Sequence, residues 1–316
     1  MKVSKRGRRA PKEVVEQIKR GPCRLDARLV AFNALSCITL RGNVFVGDPA
    51  LELIDPQRVE RHDPISAHLE VGSDPSTHRW PFVSCVMVTR NRFEQAQLAT
   101  NCFRRQTWQC RELVIFDTSE DDTFRQWVAS LCDSRIKFTH LPGLMDSLGD
   151  MRNRAIEAAH GTHICQWDDD DLSHPARLEA QVASVRTTGA QVSMLLREMM
   201  WVPAWNGLSI TRRRGHENTL LAEKAVLPSY PSLARFEDTP VVEHLMERQR
   251  VAYLDQPELY VYVSHGTNTW DEEHMLGIWK SSTNHFLGAR YRWEISSLKN
   301  AYDFQSYERL NVLNSV

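Results

Sequence analysis

The chain has 316 residues, 42% hydrophobic and 25% charged, with 39 basic against 40 acidic side chains and a formal charge of −1. That is enough for one large domain, or a main domain with an appendage, and the near-neutral balance argues against a protein that works mainly by coating nucleic acid. No run approaches the ~20 apolar residues of a membrane span, and no apolar stretch follows the N-terminus as a secretory signal requires.

The first predicted feature is a basic tip: Lys2, Lys5, Arg6, Arg8, Arg9 and Lys12 have no acid among them. Pro11 is placed to open a short helix through Arg20. Leu25 to Leu35 reads as a second helix and Asn43 to Val46 as a short strand. Asp55-Pro56, Asp63-Pro64, Asp74-Pro75 and Trp80-Pro81 then punctuate a polar segment, read as a linker or an irregular wrap around a neighbouring domain. Residues 25–80 carry enough apolar side chains to pack onto the domain that follows and are expected to be folded.

From Phe82 the pattern becomes regular. Val83 to Val88 is an apolar run suited to a strand buried on both faces. A helix over 93–106 comes next, then a strand from Leu113 to Phe116 ending at Asp117, a helix over 121–132 and a strand from Ile136 to His140. After these come a helix over 147–159, a strand from Thr162 to Trp167 ending at Asp168, and a helix beyond Ser173 and Pro175 to about Arg186. This alternation predicts βαβ units and a parallel sheet. Seven scattered cysteines, none spaced as CxxC, read as buried reduced thiols of a cytosolic protein.

Open α/β sheets bind ligands at the carboxyl ends of their strands, and two strand ends here carry acids. One is Asp117; the other is the run Asp168-Asp169-Asp170-Asp171. Standing alone, such a run is a solvated loop that caps the next helix. Its direct continuation from Ile164-Cys165-Gln166-Trp167 puts the first acid on a rigid strand, and crowded carboxylates are relieved by a hard divalent cation. Mg2+ or Mn2+ held by one or two carboxylates completes its shell with substrate phosphates, so a phosphate-bearing substrate is expected, a nucleotide being the commonest such ligand. No GxGxxG, P-loop, GxSxG or HExxH pattern occurs.

Five motifs in order resemble those of family 2 glycosyltransferases. Val83 to Arg92 resembles the "VSVIIPTYNR" strand and turn, Gln106-Thr107-Trp108 the "QTY" helix end, and Asp117 to Thr123 the "DGSTDDT" segment. Arg152-Asn153-Arg154-Ala155-Ile156 through Gly161 matches "ARNxGIxxAxG", and Trp167 to Asp171, followed by Pro175, matches "LDDDD". Phe236-Glu237-Asp238-Thr239 resembles the downstream "ED" element, and His265 to Trp270 a His-containing segment near the metal in some members. The chain departs from the family at Val88 and Arg90, which replace Pro and Tyr, so stacking on the base passes to a guanidinium. Phe116 replaces the first acid of "DDGS", leaving Asp117 to contact the base.

The resemblance implies an α/β fold, GT-A-like, with a Rossmann-type, mostly parallel sheet flanked by helices. Its nucleotide-binding half would span 81–190 and its acceptor half 191–290, after an N-terminal appendage of residues 1–80 and before a C-terminal tail from 291 to 316. Thr89, Arg90, Asn91 and Asp117 would surround the base, and Arg152 and Asn153 would help close the nucleotide pocket. Asp168 and Asp169 would face the ribose and sugar. Asp170 would bind Mn2+ or Mg2+, with Asp168 and His265 as further ligands. Asp238 is the expected catalytic base and Glu237 its competitor; either is also placed to cap the helix running to about Gln249. His265 alternatively contacts the diphosphate or is a structural loop residue.

Trp201, Trp205, Trp270 and Tyr230 are candidates for an acceptor platform or for the core. Arg212-Arg213-Arg214 is either a clamp for phosphates or an anionic acceptor, or a solvated turn. The implied activity is metal-dependent, inverting transfer from a nucleotide-diphosphate sugar to a hydroxyl of a glycan, a lipid-linked acceptor, a protein or a modified DNA base. A nucleotidyltransferase is the enzyme alternative; it would carry a Gly-rich loop after the first strand, where this chain has Thr89-Arg90-Asn91-Arg92. A non-catalytic nucleotide-sugar binding module is the other, against which stand the acid run and Glu237-Asp238. The basic tip is a solubilising tail, or a contact for anionic membrane or nucleic acid. The expected location is cytoplasmic, peripheral at a membrane if the tip binds lipid.

Overall fold

Three short strands come first: β1 (Ser36–Leu40), β2 (Asn43–Gly47) and β3 (Glu60–His62). The computed structural model describes these and residues 80–313, with β1–β3 and residues 311–313 as backbone only. The basic tip, the helices expected over Pro11–Arg20 and Leu25–Leu35, and most of the 55–81 segment lie outside the described residues.

The alternating part runs β4 (Val83–Thr89), α1 (Phe93–Arg104), β5 (Arg111–Asp117), α2 (Thr123–Ser130), β6 (Ile136–His140), α3 (Leu148–Ala158) and β7 (His163–Gln166). After it come β8 (Leu172–Ser173), α4 (Arg177–Thr188), β9 (Val192–Leu195), β10 (Met199–Val202), β11 (Gly207–Ile210), β12 (Leu221–Glu223) and α5 (Thr239–Arg248). The chain ends with β13 (Val251–Leu254), β14 (Tyr260–Val263), α6 (Glu272–Ser281), β15 (Asn284–Phe286), α7 (Gly288–Leu298) and α8 (Phe304–Leu313). Each element expected between residues 82 and 186 is present, within two residues at either end.

The main sheet has the strand order β3-β1-β2-β13-β9-β12-β7-β4-β5-β6. β7, β4, β5 and β6 are mutually parallel, as are β2, β13 and β9, while β12 runs antiparallel between the two blocks. The N-terminal strands therefore extend the sheet through β2, and the expected α/β fold is the one observed. A second sheet, ordered β15-β11-β10-β14-β8, packs beside it.

The period of two in β4 and β5 explains why helices cover both faces. Val83, Cys85, Met87, Leu113 and Ile115 point into the cluster shared with α1 and α2. Val86, Val114 and Phe116 point the other way, against Met151, Ala155 and Ala159 on and just after α3. Among the described residues no helix is long and apolar enough to cross a membrane. Cys85, Cys102 and Cys165 are buried and unbridged as expected; Cys110 and Cys132, also unbridged, are exposed.

The C-terminal stretch corrects the sequence reading. Residues from 291, expected as a tail, complete α7 and form α8. Tyr291, Leu298, Tyr302, Phe304 and Tyr307 enter the largest core cluster. Trp201 meets Phe304 and Tyr307 edge-on, and its indole N–H donates to the Tyr291 hydroxyl. Aromatics at this spacing fill one face of a helix, which is why the segment folds back instead of trailing off.

Candidate active site

Because β4, β5 and β7 are parallel, their carboxyl ends open together onto one cavity of about 780 Å³. Thr89 and Asp117 stand in register at the ends of β4 and β5, and the Thr118 N–H donates to the Thr89 carbonyl. Asp117 is fully buried. Its Oδ1 accepts from the Ser119 N–H at 2.8 Å and from the Ser119 hydroxyl, while Oδ2 has no hydrogen-bond partner among the described residues. A buried carboxylate oxygen without a donor is costly; it fits a ligand N–H, in the place where the resemblance puts the base.

The four acids divide their work. Trp167, buried with its indole N–H on the Ala99 carbonyl, fixes the start of the run. Asp168 accepts from Arg152 at 3.0 Å. Asp169 and Asp170 share the Arg92 guanidinium, at 3.1 and 2.9 Å. Asp171 belongs to the architecture: it accepts the Tyr260 hydroxyl at 2.7 Å and the Val263 N–H at 2.8 Å, joining the run to β14 of the second sheet.

Asp170 is also met by His265 Nε2 at 3.0 Å, and its carbonyl accepts the Tyr307 hydroxyl. Burial works to raise the Asp170 carboxyl, but the hydrogen bond and charge of His265, with Arg92, hold it below the ordinary carboxylate range. Burial and the Asp170 charge push Asp169 the other way. Among the described residues no three His, Cys, Asp or Glu side chains gather as a metal cluster. Asp170 Oδ2 and His265 Nε2 nevertheless stand 3.0 Å apart, the separation of adjacent ligands around an octahedral ion with bonds of ~2.1 Å. An oxygen and an imidazole nitrogen are both ligands a divalent cation accepts, so this pair would hold one in place of the hydrogen bond between them. Asp168, the third expected ligand, is turned to Arg152 instead.

Across the cavity, Arg152 on α3 donates Nε to Glu237 at 3.0 Å as well as Nη2 to Asp168. All three are largely shielded from water, so burial alone would depress the guanidinium; Asp168 and Glu237 keep it charged. Asp238 stands at the N-cap of α5, yet its side chain makes no capping hydrogen bond. Burial and the neighbouring Glu237 charge push this carboxyl up to about 6 against the opposing pull of Arg152. The loop before it is seated on Gly149, whose N–H donates to the Leu233 carbonyl and whose missing Cβ makes room for the Pro231 carbonyl.

Thr89, Arg90, Arg152, Asp168, Asp169, Asp170, Glu237 and Asp238 line this cavity together. Asn153 is placed differently: its amide pairs with both backbone groups of Tyr230, at 2.8 Å each, and bolts the loop that leads to Asp238 onto α3. Asn91, in the left-handed region at φ 52°, closes the turn by donating its N–H to Ser119 Oγ. Trp201 and Tyr230 are core, Trp205 packs edge-on against Trp279, and Trp270 lines the cavity. Arg212 and Arg214 line it too, whereas Arg213 turns to Asp255. Site residues that escape the sequence reading include Arg92, although the first motif ends on it, Arg235 and the exposed Phe236.

Residues 84–231 match the model for glycosyl transferase family 2. Over 105 residues the chain is 33% identical to an Escherichia coli (strain K12) protein named as a colanic acid biosynthesis glycosyl transferase, WcaA. That match covers 33% of this chain and 37% of the relative, so the chain spans little more than a third of it. Solved structures similar to this chain include S. aureus TarS 1-349 in complex with UDP-GlcNAc, at 18% identity and a TM-score of 0.49, covering 61% of this chain and 60% of that one. Mannosyltransferase PcManGT from Pyrobaculum calidifontis, in complex with GDP-Man and Mn2+, is 17% identical with a TM-score of 0.46 over 60% of this chain and 57% of that one.

Proposed function

We propose that this protein is a metal-dependent, inverting glycosyltransferase that moves a sugar from a nucleotide-diphosphate sugar to a hydroxyl acceptor. The observation that carries the reading is the position of Asp238. It faces the cavity formed by the strand ends and the acid run, with a carboxylate that no capping bond occupies. The donor would lie along the strand ends, its base N–H on Asp117 Oδ2 and its ribose and sugar toward Asp168 and Asp169. Arg90, exposed at the end of β4, is free to meet the base or the phosphates.

Asp170 and His265 would hold Mn2+ or Mg2+, which as a Lewis acid neutralises the departing diphosphate. Asp238 takes the proton of the acceptor hydroxyl as that oxygen bonds to the anomeric carbon. The bond from that carbon to the diphosphate breaks on the opposite face, and the nucleoside diphosphate leaves. Arg152 binds Asp168 and Glu237, so one guanidinium sets the spacing between the sugar-facing acid and the segment that carries the base. The test is release of nucleoside diphosphate from a panel of UDP-, GDP- and TDP-linked sugars, with and without Mn2+, together with NMR of the new anomeric centre. Release that depends on Mn2+ and inverts the centre is expected. A panel in which no donor binds or turns over would overturn the reading.

A further inference from the structure

One wall of the cavity is unlike the rest. Phe236, two residues before Asp238, has φ 61°, a backbone region that a bulky side chain rarely adopts and that marks a residue held for a purpose. The effect is to turn its ring outward, where it is 57% exposed and outside every hydrophobic cluster of the described residues. The ring meets Trp270 edge-on with centroids 4.4 Å apart, and Trp270 stacks on His274 at 4.3 Å. The result is an aromatic ledge beside the base.

The charges on this wall differ as well. Arg92, Arg152 and Arg214 each have a carboxylate partner. Arg212 and Arg235 line the same cavity, and no carboxylate among the described residues pairs with either. Arg235 lies over the Trp270 ring, 5.7 Å from its centroid. A guanidinium in such a place prefers a planar pair of oxyanion oxygens, and an aromatic ledge takes the apolar C–H face of a pyranose.

We propose that the acceptor is a sugar carrying an anionic group, a carboxylate or a phosphate, with its ring on the Phe236–Trp270 ledge and its anion between Arg212 and Arg235. The proposal rests on the glycosyltransferase reading and adds the class of acceptor to it. The ledge sets the acceptor hydroxyl against Asp238, and the two arginines favour an anionic sugar over a neutral one by supplying counter-charges that only the anion uses.

The test is equilibrium binding of glucose, glucuronate and glucose 6-phosphate to the full chain, followed by tryptophan fluorescence and by saturation-transfer NMR. Each anionic sugar should bind about tenfold or more tightly than glucose, the worth of a charge-assisted hydrogen bond. Whichever of the two binds better distinguishes a carboxylate from a phosphate acceptor. The preference should vanish in the Arg212→Gln/Arg235→Gln double variant, while Phe236→Ala weakens all three sugars alike and leaves donor-nucleotide binding unchanged. Equal binding of glucose overturns the proposal, as does a preference that survives the double variant, since the anion would then sit on the diphosphate side. If a nucleotide-sugar donor binds and the three sugars still fail to discriminate, only the acceptor assignment falls; if no donor binds, both fall.

Discussion

The two walls of the cavity are built on opposite principles. On the donor wall Arg152, Asp168, Glu237, Asp169, Asp170 and Arg92 are paired with one another, mostly buried, and seated on or beside strand ends and α3. On the acceptor wall Phe236, Arg212 and Arg235 are exposed and lie on loops. A diphosphate and a metal demand fixed charges, whose geometry is preorganised by partners that hold it before the ligand arrives. An acceptor is met by surfaces that stay uncommitted until it binds. Substitutions should therefore cost stability on the first wall and acceptor affinity on the second, with Asp238 between them affecting neither.

The largest effect is expected at that junction. Asp238→Asn removes the proton acceptor but keeps size and hydrogen-bonding capacity, so kcat should fall by about 10²–10⁴-fold. Donor binding should remain at its wild-type value and the melting temperature should not fall, because the substitution removes a charge that burial and Glu237 disfavour. Loss of donor binding in this variant, measured by calorimetry, would put Asp238 on the donor wall; the same kinetic loss from Glu237→Gln would move the base to its neighbour.

Next comes Arg152→Met. It leaves two buried carboxylates without their shared cation, and breaking a buried pair in this way costs about 3–5 kcal/mol. Adding Glu237→Gln should restore part of the loss by removing one of the stranded charges. Arg212→Met, on the other wall, should stay within about 0.5 kcal/mol of wild type. Denaturant titrations giving equal losses for the two arginines would erase the contrast between the walls.

This contrast also tracks what the sequence reveals. The donor wall is legible because strand ends follow from local apolar runs and because its acids and Arg152 sit in contiguous motifs. The hidden part depends on contacts between distant residues. Arg92 reaches the Thr267 carbonyl across 175 positions, and Tyr307 reaches the Asp170 carbonyl across 137. Nothing local shows that Asp171 is tied to Tyr260 and Val263 while its three predecessors meet Arg152 and Arg92, or that Asn153 spends its amide on Tyr230. The acceptor wall is still less legible, since a left-handed Phe236 is a property of the folded loop and not of the residue type.

The smallest effect concerns pH and separates the base from its surroundings. Burial and the Glu237 charge, and to a lesser degree those of Asp168 and Glu217, raise Asp238 to about 6, while Arg152 pulls against them. Transfer needs the ionised carboxylate, so the rate should rise with pH through about 6 and level off above it. One unit below the midpoint only about a tenth of the molecules hold the active form, a loss of about tenfold. Glu237→Gln removes the negative neighbour, makes ionisation of Asp238 easier, and should move the acid limb of the profile to lower pH without lowering the plateau. Had Arg152 been the dominant influence, the same substitution would free its guanidinium to act more fully on Asp238 while the wild-type limb would already lie below the ordinary carboxylate range. A wild-type limb near 4, or one that stays in place in Glu237→Gln, would therefore show that the titrating group is not a carboxylate placed between these two walls.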